Sequence, residues 1–414
     1  MNDRYSLKIR SNFPSGNGKN FYEIIPGHWA MELEGDFIYG PWYYIELEET
    51  AGEEKEIELK ILGIPSIPDL LTQADHPVIK INRGEWQRLS SKKVNIEHTD
   101  KTKFFQTPVV AFLEQRKKVP KNRKARYPLS NICLKLHIPA NSTVYLATTY
   151  PYTYAQLLNW LDTLSNLNES LKRYVKIKSI GKSEKGRDIP LIILTNFEKK
   201  EKGKQKLLIT ARMHPCLEVS GSWGIEEIVR FLLGNSARSQ KILNQSIISI
   251  IPMVNVDGVY RGNPHYNAKG VDICLDFRNK KSKEAQAVFN FMNLFKPDFY
   301  MDFHGWLSHD KGKFPFDGAY IDTASIKPFD KEHYIQLIGY LKKKVEGFAS
   351  YALYRFAPPG GPVAVIYEEL HTLGCTVEVN PGSYSLESVK KRSLNYFLAI
   401  YEFVSTNFCR KLTV

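Results

Sequence analysis

The chain has 414 residues, 43% of them hydrophobic, and a formal net charge of +13. That is long enough for two domains with ordinary cores; no apolar run reaches the ~18 residues of a membrane span, and the opening MNDRYSLKIR lacks the apolar stretch of a secretory leader. Five scattered cysteines, Cys133, Cys216, Cys274, Cys375 and Cys409, form no C-x-x-C pair, which argues against a disulfide framework and for a reducing, cytoplasmic setting.

The positive balance favours acidic partners or substrates. Its sharpest concentration is QRKKVPKNRKARYP, from Gln115 to Pro128. Aromatic interleaving for base stacking is missing there, so a solvated loop is the preferred reading and nucleic acid is disfavoured.

From about residue 20 the elements read as strands. Phe37-Ile38-Tyr39 and Trp42-Tyr43-Tyr44-Ile45 are aromatic and β-branched. Glu56 to Leu62 and Ile132 to Ile138 alternate polar and apolar with period two, and Ser142 to Ala147 reads as extended. These predict an all-β sandwich over residues 1–148, with the basic stretch inserted between late strands. From Tyr154 to Leu171 the leucines fall at helical spacing. Strands are then expected at Ile189–Leu194, Lys206–Thr210, Ile247–Val254, Phe299–Phe303 and Cys375–Val379. Helices are expected at Trp223–Leu233, Lys283–Leu294, Lys331–Ala349 and Leu386–Phe403. This alternation predicts an α/β domain over 149–414, with a mixed, mostly parallel sheet flanked by helices.

Four polar turns follow apolar strands, where ligands of open α/β sheets gather: Arg212-Met213-His214-Pro215-Cys216-Leu217-Glu218, Asn255-Val256-Asp257-Gly258 with Gly270-Val271-Asp272, Met301-Asp302-Phe303-His304-Gly305, and Val377-Glu378-Val379-Asn380-Pro381-Gly382. Two imidazoles and a carboxylate make a catalytic zinc set with an open position, and His214, His304 and Glu218 supply those types. Glu378 ends a strand where a general base is needed. Asp272 and Asp302 suit the far ring nitrogens of the histidines. Taken singly, each has a plainer explanation: a lone histidine after a strand is more often structural. The ordered set raises the odds only to about even.

The set resembles the zinc carboxypeptidases, in particular their cytosolic carboxypeptidase branch. Ala211-Arg212-Met213-His214-Pro215 resembles the branch's ARxHPGE segment, and Ser222-Trp223 its following SW. Asn255 to Val259 is similar to NPDGV, Gly262-Asn263 to the next GN, and Gly270-Val271-Asp272 to the start of GVDLNRN. Asp302-Phe303-His304-Gly305 resembles DFHGH, with Trp306 at the last position, and Tyr150 to Tyr154 resembles YPYTY. The resemblance implies one Zn2+ per chain on His214, Glu218 and His304. It implies Glu378 as the base that takes a proton from the attacking water and passes it to the leaving amine. It also implies that Asp272 orients His214.

Departures cluster at the same place. Leu217 stands three residues after His214, so Glu218 must reach the ion through a bulge at Cys216-Leu217; Cys216 is the alternative ligand. Cys274, Leu275 and Asp276 stand where NRN grips a terminal carboxylate, and His265 stands where an arginine stabilises the oxyanion. Arg261 and Arg278 are candidate stand-ins, with Asn263 and Asp276 beside them as substrate contacts. Tyr351, Tyr354 and Tyr367 are candidates for the family's loop tyrosine, Tyr354 foremost, with Pro358 to Pro362 shaping the mouth. Without an arginine fork, recognition of a free C-terminal carboxylate weakens. The leading expectation is a zinc-dependent metallopeptidase hydrolysing an amide bond in a peptide or protein, carboxypeptidase-like with altered end recognition and an acidic substrate if the net charge is a guide. The alternatives are an amidase or deacylase on a small or modified molecule, and a ligand-binding pseudoenzyme.

Overall fold

The period-two stretches of the N-terminal third pair with one another. In the computed structural model, β5 (Lys55–Pro65) and β10 (Ala125–Ile138) run antiparallel, with Leu59 opposite Leu134 and Ile57 opposite Leu136. The structure describes residues 7–35, 40–65, 77–98, 104–107, 125–305, 317–320, 328–348, 361–382 and 384–407. Among them the strands form three sheets.

One sheet has the order β1-β4-β11-β6-β7, from β1 (Leu7–Arg10), β4 (Tyr44–Glu49), β6 (Val78–Ile81), β7 (Gln87–Arg88) and β11 (Thr143–Ala147). A second has the order β2-β3-β5-β10-β8, from β2 (Lys19–Ile25), β3 (His28–Glu32) and β8 (Val94–His98), with β9 (Phe104–Thr107) also on β10. The inward residues of both, among them Ile45, Leu47, Val144, Leu59, Leu134 and Leu136, share one core. Alternation along each strand is what lets two sheets bury one face apiece. Of the basic stretch, residues 125–128 belong to β10 and pair with β9 rather than forming loop. Residues 115–124 and the expected Phe37–Tyr39 strand lie outside the described residues.

Thr148 donates its hydroxyl back to the Pro41 carbonyl at 3.0 Å, whereas Thr149 donates forward to Pro381 at 3.2 Å. Helix α1 (Tyr154–Ser165) then starts at Thr153, which forms a reciprocal capping box with Gln156. The single helix expected over 154–171 is broken: Asn168 caps a new short helix, α2 (Glu169–Lys172), by accepting from the Leu171 N–H.

The third sheet has the order β12-β13-β15-β14-β16-β18-β17. Its strands are β12 (Val175–Lys182), β13 (Asp188–Leu194), β14 (Gln205–Ala211), β15 (Ser246–Ile251), β16 (Phe299–His304), β17 (Asp317–Tyr320) and β18 (Leu373–Val379). Parallel pairing is confined to the four central strands β15, β14, β16 and β18; the edge pairings are antiparallel. The flanking helices are α3 (Ser220–Leu233), α4 (Ala237–Gln245), α5 (Val256–Arg261), α6 (Ile273–Asp276), α7 (Lys283–Phe295), α8 (Pro328–Lys344), α9 (Pro362–Leu370) and α10 (Leu386–Asn407). Strands β15, β16 and β18 are buried throughout, and β14 at every position but Lys206, as a sheet covered on both faces requires.

Helix α3 lies close on this sheet because Gly221 has no side chain. A Cβ there would stand 2.8 Å from the Phe303 carbonyl and from the Ala211 Cβ. Gly221→Ala is therefore expected to push α3 off β14 and β16, destabilising the protein by roughly 1–3 kcal/mol. A lowered thermal midpoint would show this; an unchanged one would mean that the helix shifts at no cost.

Candidate metal centre

Three parallel strands end side by side at one point. Thr210 of β14 pairs with Asp302 of β16, and His304 of β16 pairs with Glu378 of β18. His304 and Glu378 thus sit on neighbouring strands, while His214 and Glu218 lie on the turn between β14 and α3. Relative exposures of 9% for His214, 6% for Glu218, 4% for His304 and 9% for Glu378 put all four out of bulk water.

His214 Nδ1 lies 2.7 Å from Glu218 Oε1, and His304 Nδ1 lies 2.5 Å from Glu218 Oε2. One carboxylate therefore meets both imidazoles. The residue inserted before Glu218 is accommodated by the apolar contact of Cys216 and Leu217 with Trp42 of the β-sandwich. Cys216 Sγ faces the Gly258 and Val259 carbonyls at 3.9 and 3.8 Å, and its N–H donates to the Asn263 carbonyl at 3.2 Å. Glu218 rather than Cys216 is thus the side chain of this turn that meets the histidines.

The turn is braced from within. Arg212 has a left-handed backbone, φ 62°. Its buried guanidinium donates through Nε to the Pro215 carbonyl and through Nη1 to the Tyr152 carbonyl at 3.3 Å. Burial lowers its pKa to about 10. Asn255 caps α5 through the Gly258 N–H at 2.9 Å and donates to the Met213 carbonyl at 3.1 Å, so the Asn-Val-Asp-Gly motif supports the His214 turn.

A carboxylate also meets the far ring nitrogen of His304, and another stands near that of His214. His304 Nε2 is 2.9 Å from Asp302 Oδ2, and Thr210 donates to Asp302 Oδ1 at 2.6 Å. His214 Nε2 is 3.7 Å from Asp272 Oδ1, beyond hydrogen-bond reach. Asp272 is closer to His265, whose Nε2 is 2.7 Å from Oδ2. His265 stacks on His214 with centroids 4.2 Å apart. Burial opposes each charge, but the ion pairs outweigh it. Glu218 is held below the usual carboxylate range by His214 and His304, and both imidazoles are held above theirs, His214 mainly by Glu218 and His304 by Asp302 and Glu218. Asp272 is depressed against burial by the neighbouring His214 and His265 imidazoles. Two imidazoles, a carboxylate with both oxygens directed at them, and a carboxylate on the far nitrogen of His304 fit a catalytic zinc ion.

Residues 158–309 match the profile of the zinc carboxypeptidase family. The chain carries a zinc carboxypeptidase domain. Cytosolic carboxypeptidase 1 of Xenopus laevis is 28% identical over 322 residues, covering 72% of this chain and 25% of the relative. Cytosolic carboxypeptidase 2 of Danio rerio is 28% identical over 315 residues, covering 72% and 41%. The chain therefore spans well under half the length of these relatives. A metallo-carboxypeptidase from Burkholderia cenocepacia superposes with a TM-score of 0.74 at 18% identity, covering 97% of this chain and 99% of its own. One from Pseudomonas aeruginosa gives 0.69 at 17%, covering 96% and 99%. At such identities the likeness is one of fold, and it takes in the N-terminal β-sandwich. Among the described residues no helix is long and apolar enough to cross a membrane.

Around the centre, several residues expected at the substrate are held by other groups of the protein. Asp276 accepts from the Lys281 N–H at 3.1 Å and from the Ser282 N–H and hydroxyl at 2.7 and 2.8 Å, which ties it to the start of α7. Arg278 pairs with Glu368 at 2.8 Å, and Arg261 donates to the Ala268 carbonyl at 3.0 Å. The Asn263 amide donates to the Tyr266 and Asn267 carbonyls at 3.2 and 3.3 Å, within its own loop. His265, expected at the oxyanion, is buried between His214 and Asp272. Tyr367 lies on α9 and donates to Asp330 at 2.6 Å, not on a loop. Tyr351 and Tyr354 lie outside the described residues. Two neighbours of the centre had no part in the expected set: Arg212, and Cys274, whose Sγ is 3.8 Å from His304 Nε2. Only the position of Cys274 two residues after Asp272 hinted at its place.

Proposed function

We propose that the chain is a zinc-dependent metallopeptidase that hydrolyses an amide bond in a peptide or protein, with end recognition altered from the family's. The observation that carries this reading is the meeting of His214 Nδ1 and His304 Nδ1 on the two oxygens of Glu218, with Glu378 on the adjoining strand. Zinc held by these three residues supplies positive charge for polarising a carbonyl and acidifying water. Asp302 fixes the His304 ring; Asp272, itself held by His265, does the same for His214 from a longer distance. Glu378 takes the proton of the attacking water and delivers it to the departing amine. The basic chain favours an acidic substrate, and the names of the relatives support a cytosolic setting.

Altered recognition rests on Leu275 and Asp276. Leu275 is apolar and exposed, and the Asp276 carboxylate is engaged at α7, so neither offers the arginine fork that grips a carboxylate. The same residues favour, as a second reading, an amidase acting on a blocked or modified end. Peptides of one sequence ending in a free acid, an amide or an ester separate the possibilities. Cleavage of the amide within about tenfold of the acid is expected, since tenfold corresponds to ~1.4 kcal/mol. Strict dependence on the free carboxylate would reject altered recognition.

A further inference from the structure

The two histidines present two edges, and only one faces Glu218. Their Nδ1 atoms meet its carboxylate. On the other edge of His304, the Cys274 thiol lies 3.8 Å from Nε2 and 3.7 Å from the Met213 thioether. One donor atom each from His214, Cys274 and His304 all fall within 4.8 Å of one another. Cys274 and Met213 are buried, and Cys274 is fixed on α6, which Asp272 caps.

The lone pairs of one imidazole diverge, so a single ion cannot use both edges of the same ring. Two nitrogens, a thiol sulfur and a nearby thioether form a softer set than two nitrogens and a carboxylate. We propose that His214, His304 and Cys274, with Met213 beside the sulfur, form a second metal position for a soft, thiophilic ion such as Cd2+ or Cu+. The ion replaces the thiol proton and the proton on each ring nitrogen it binds, that of His304 Nε2 beside Asp302 included; these leave to solvent, and no electron is transferred. Since both positions draw on His214 and His304, filling this one takes those rings from the zinc position.

Cadmium titration of the chelator-treated full chain tests this, read as the ultraviolet thiolate-to-metal absorption band and as release of zinc from zinc-loaded protein. The wild type is expected to develop the band at one equivalent and to lose zinc as it does so. Cys274→Ser should remove the band; Cys216→Ser, which alters a thiol outside the cluster, should keep it. Cys274→Ala, checked by circular dichroism, covers the case in which the serine variant does not fold. Glu218→Gln should lose zinc but keep the band, which separates this position from the zinc reading: if Glu218→Gln keeps zinc, the zinc assignment fails while the thiolate site stands. Absence of the band in the wild type, or its persistence in folded Cys274→Ser or Cys274→Ala, overturns the proposal.

Discussion

Glu378→Gln is expected to lower kcat for amide hydrolysis by roughly 10²- to 10⁴-fold, the usual contribution of a positioned general base, or about 3–5 kcal/mol of barrier. Glutamine keeps the size and one oxygen of the side chain but cannot take up a proton at pH 7. Glu378 sits in β18 opposite His304, and Gly318 of β17 flanks it on the other side. The backbone ladder therefore fixes the residue whichever side chain it carries. Zinc content and thermal midpoint should stay close to those of the wild type, because His214, Glu218 and His304 are untouched. Kinetics measured beside metal analysis make the check. Near-normal turnover would remove Glu378 as the base, and loss of turnover together with zinc would reassign it to holding the ion.

Much of this centre was legible because each ligand follows an apolar run. Leu207-Leu208-Ile209 and Phe299 to Phe303 read as buried strands, and the residues closing them had to lie at the sheet's C-terminal edge. Spacing alone could not show what Leu217 does. Its contact is Trp42, over 170 positions away in the β-rich N-terminal part of the chain, and only the tertiary fold brings them together. The partners of Asp276 and Arg278 were hidden for a similar reason: Ser282 and Glu368 are set by the start of α7 and by α9. A short acidic or basic side chain carries no local sign of whether it faces a ligand or a helix terminus. Cys274 read as a missing asparagine because its meaning depends on which edge of His304 it approaches. Tyr367, a candidate for the family's loop tyrosine, lies instead on α9, which Pro362 opens at a position proline favours.

His304→Ala should have the largest effect on the metal: zinc falling from about one per chain to background, and hydrolysis falling with it. Its effect on the zinc-free protein is equally informative. His304 meets Glu218 on one ring nitrogen and Asp302 on the other, so its removal takes a cation from two buried carboxylates. Breaking a buried ion pair in this way costs about 3–5 kcal/mol. The pH dependence follows from the directions of the shifts. Glu218 is depressed in the folded state, so its stabilisation is present above the unfolded carboxyl value of ~4.3 and fades as pH falls through the folded pKa. His304 is raised, so its stabilisation is full below the unfolded imidazole value of ~6.5 and fades as pH rises through the higher folded pKa. The gap in stability between the chelator-treated wild type and His304→Ala should therefore be widest around pH 5 to 7 and narrow in strong acid and in alkali. Denaturant midpoints across that range measure it. A gap independent of pH would show that packing, not the His304–carboxylate pairs, holds this end of the sheet together.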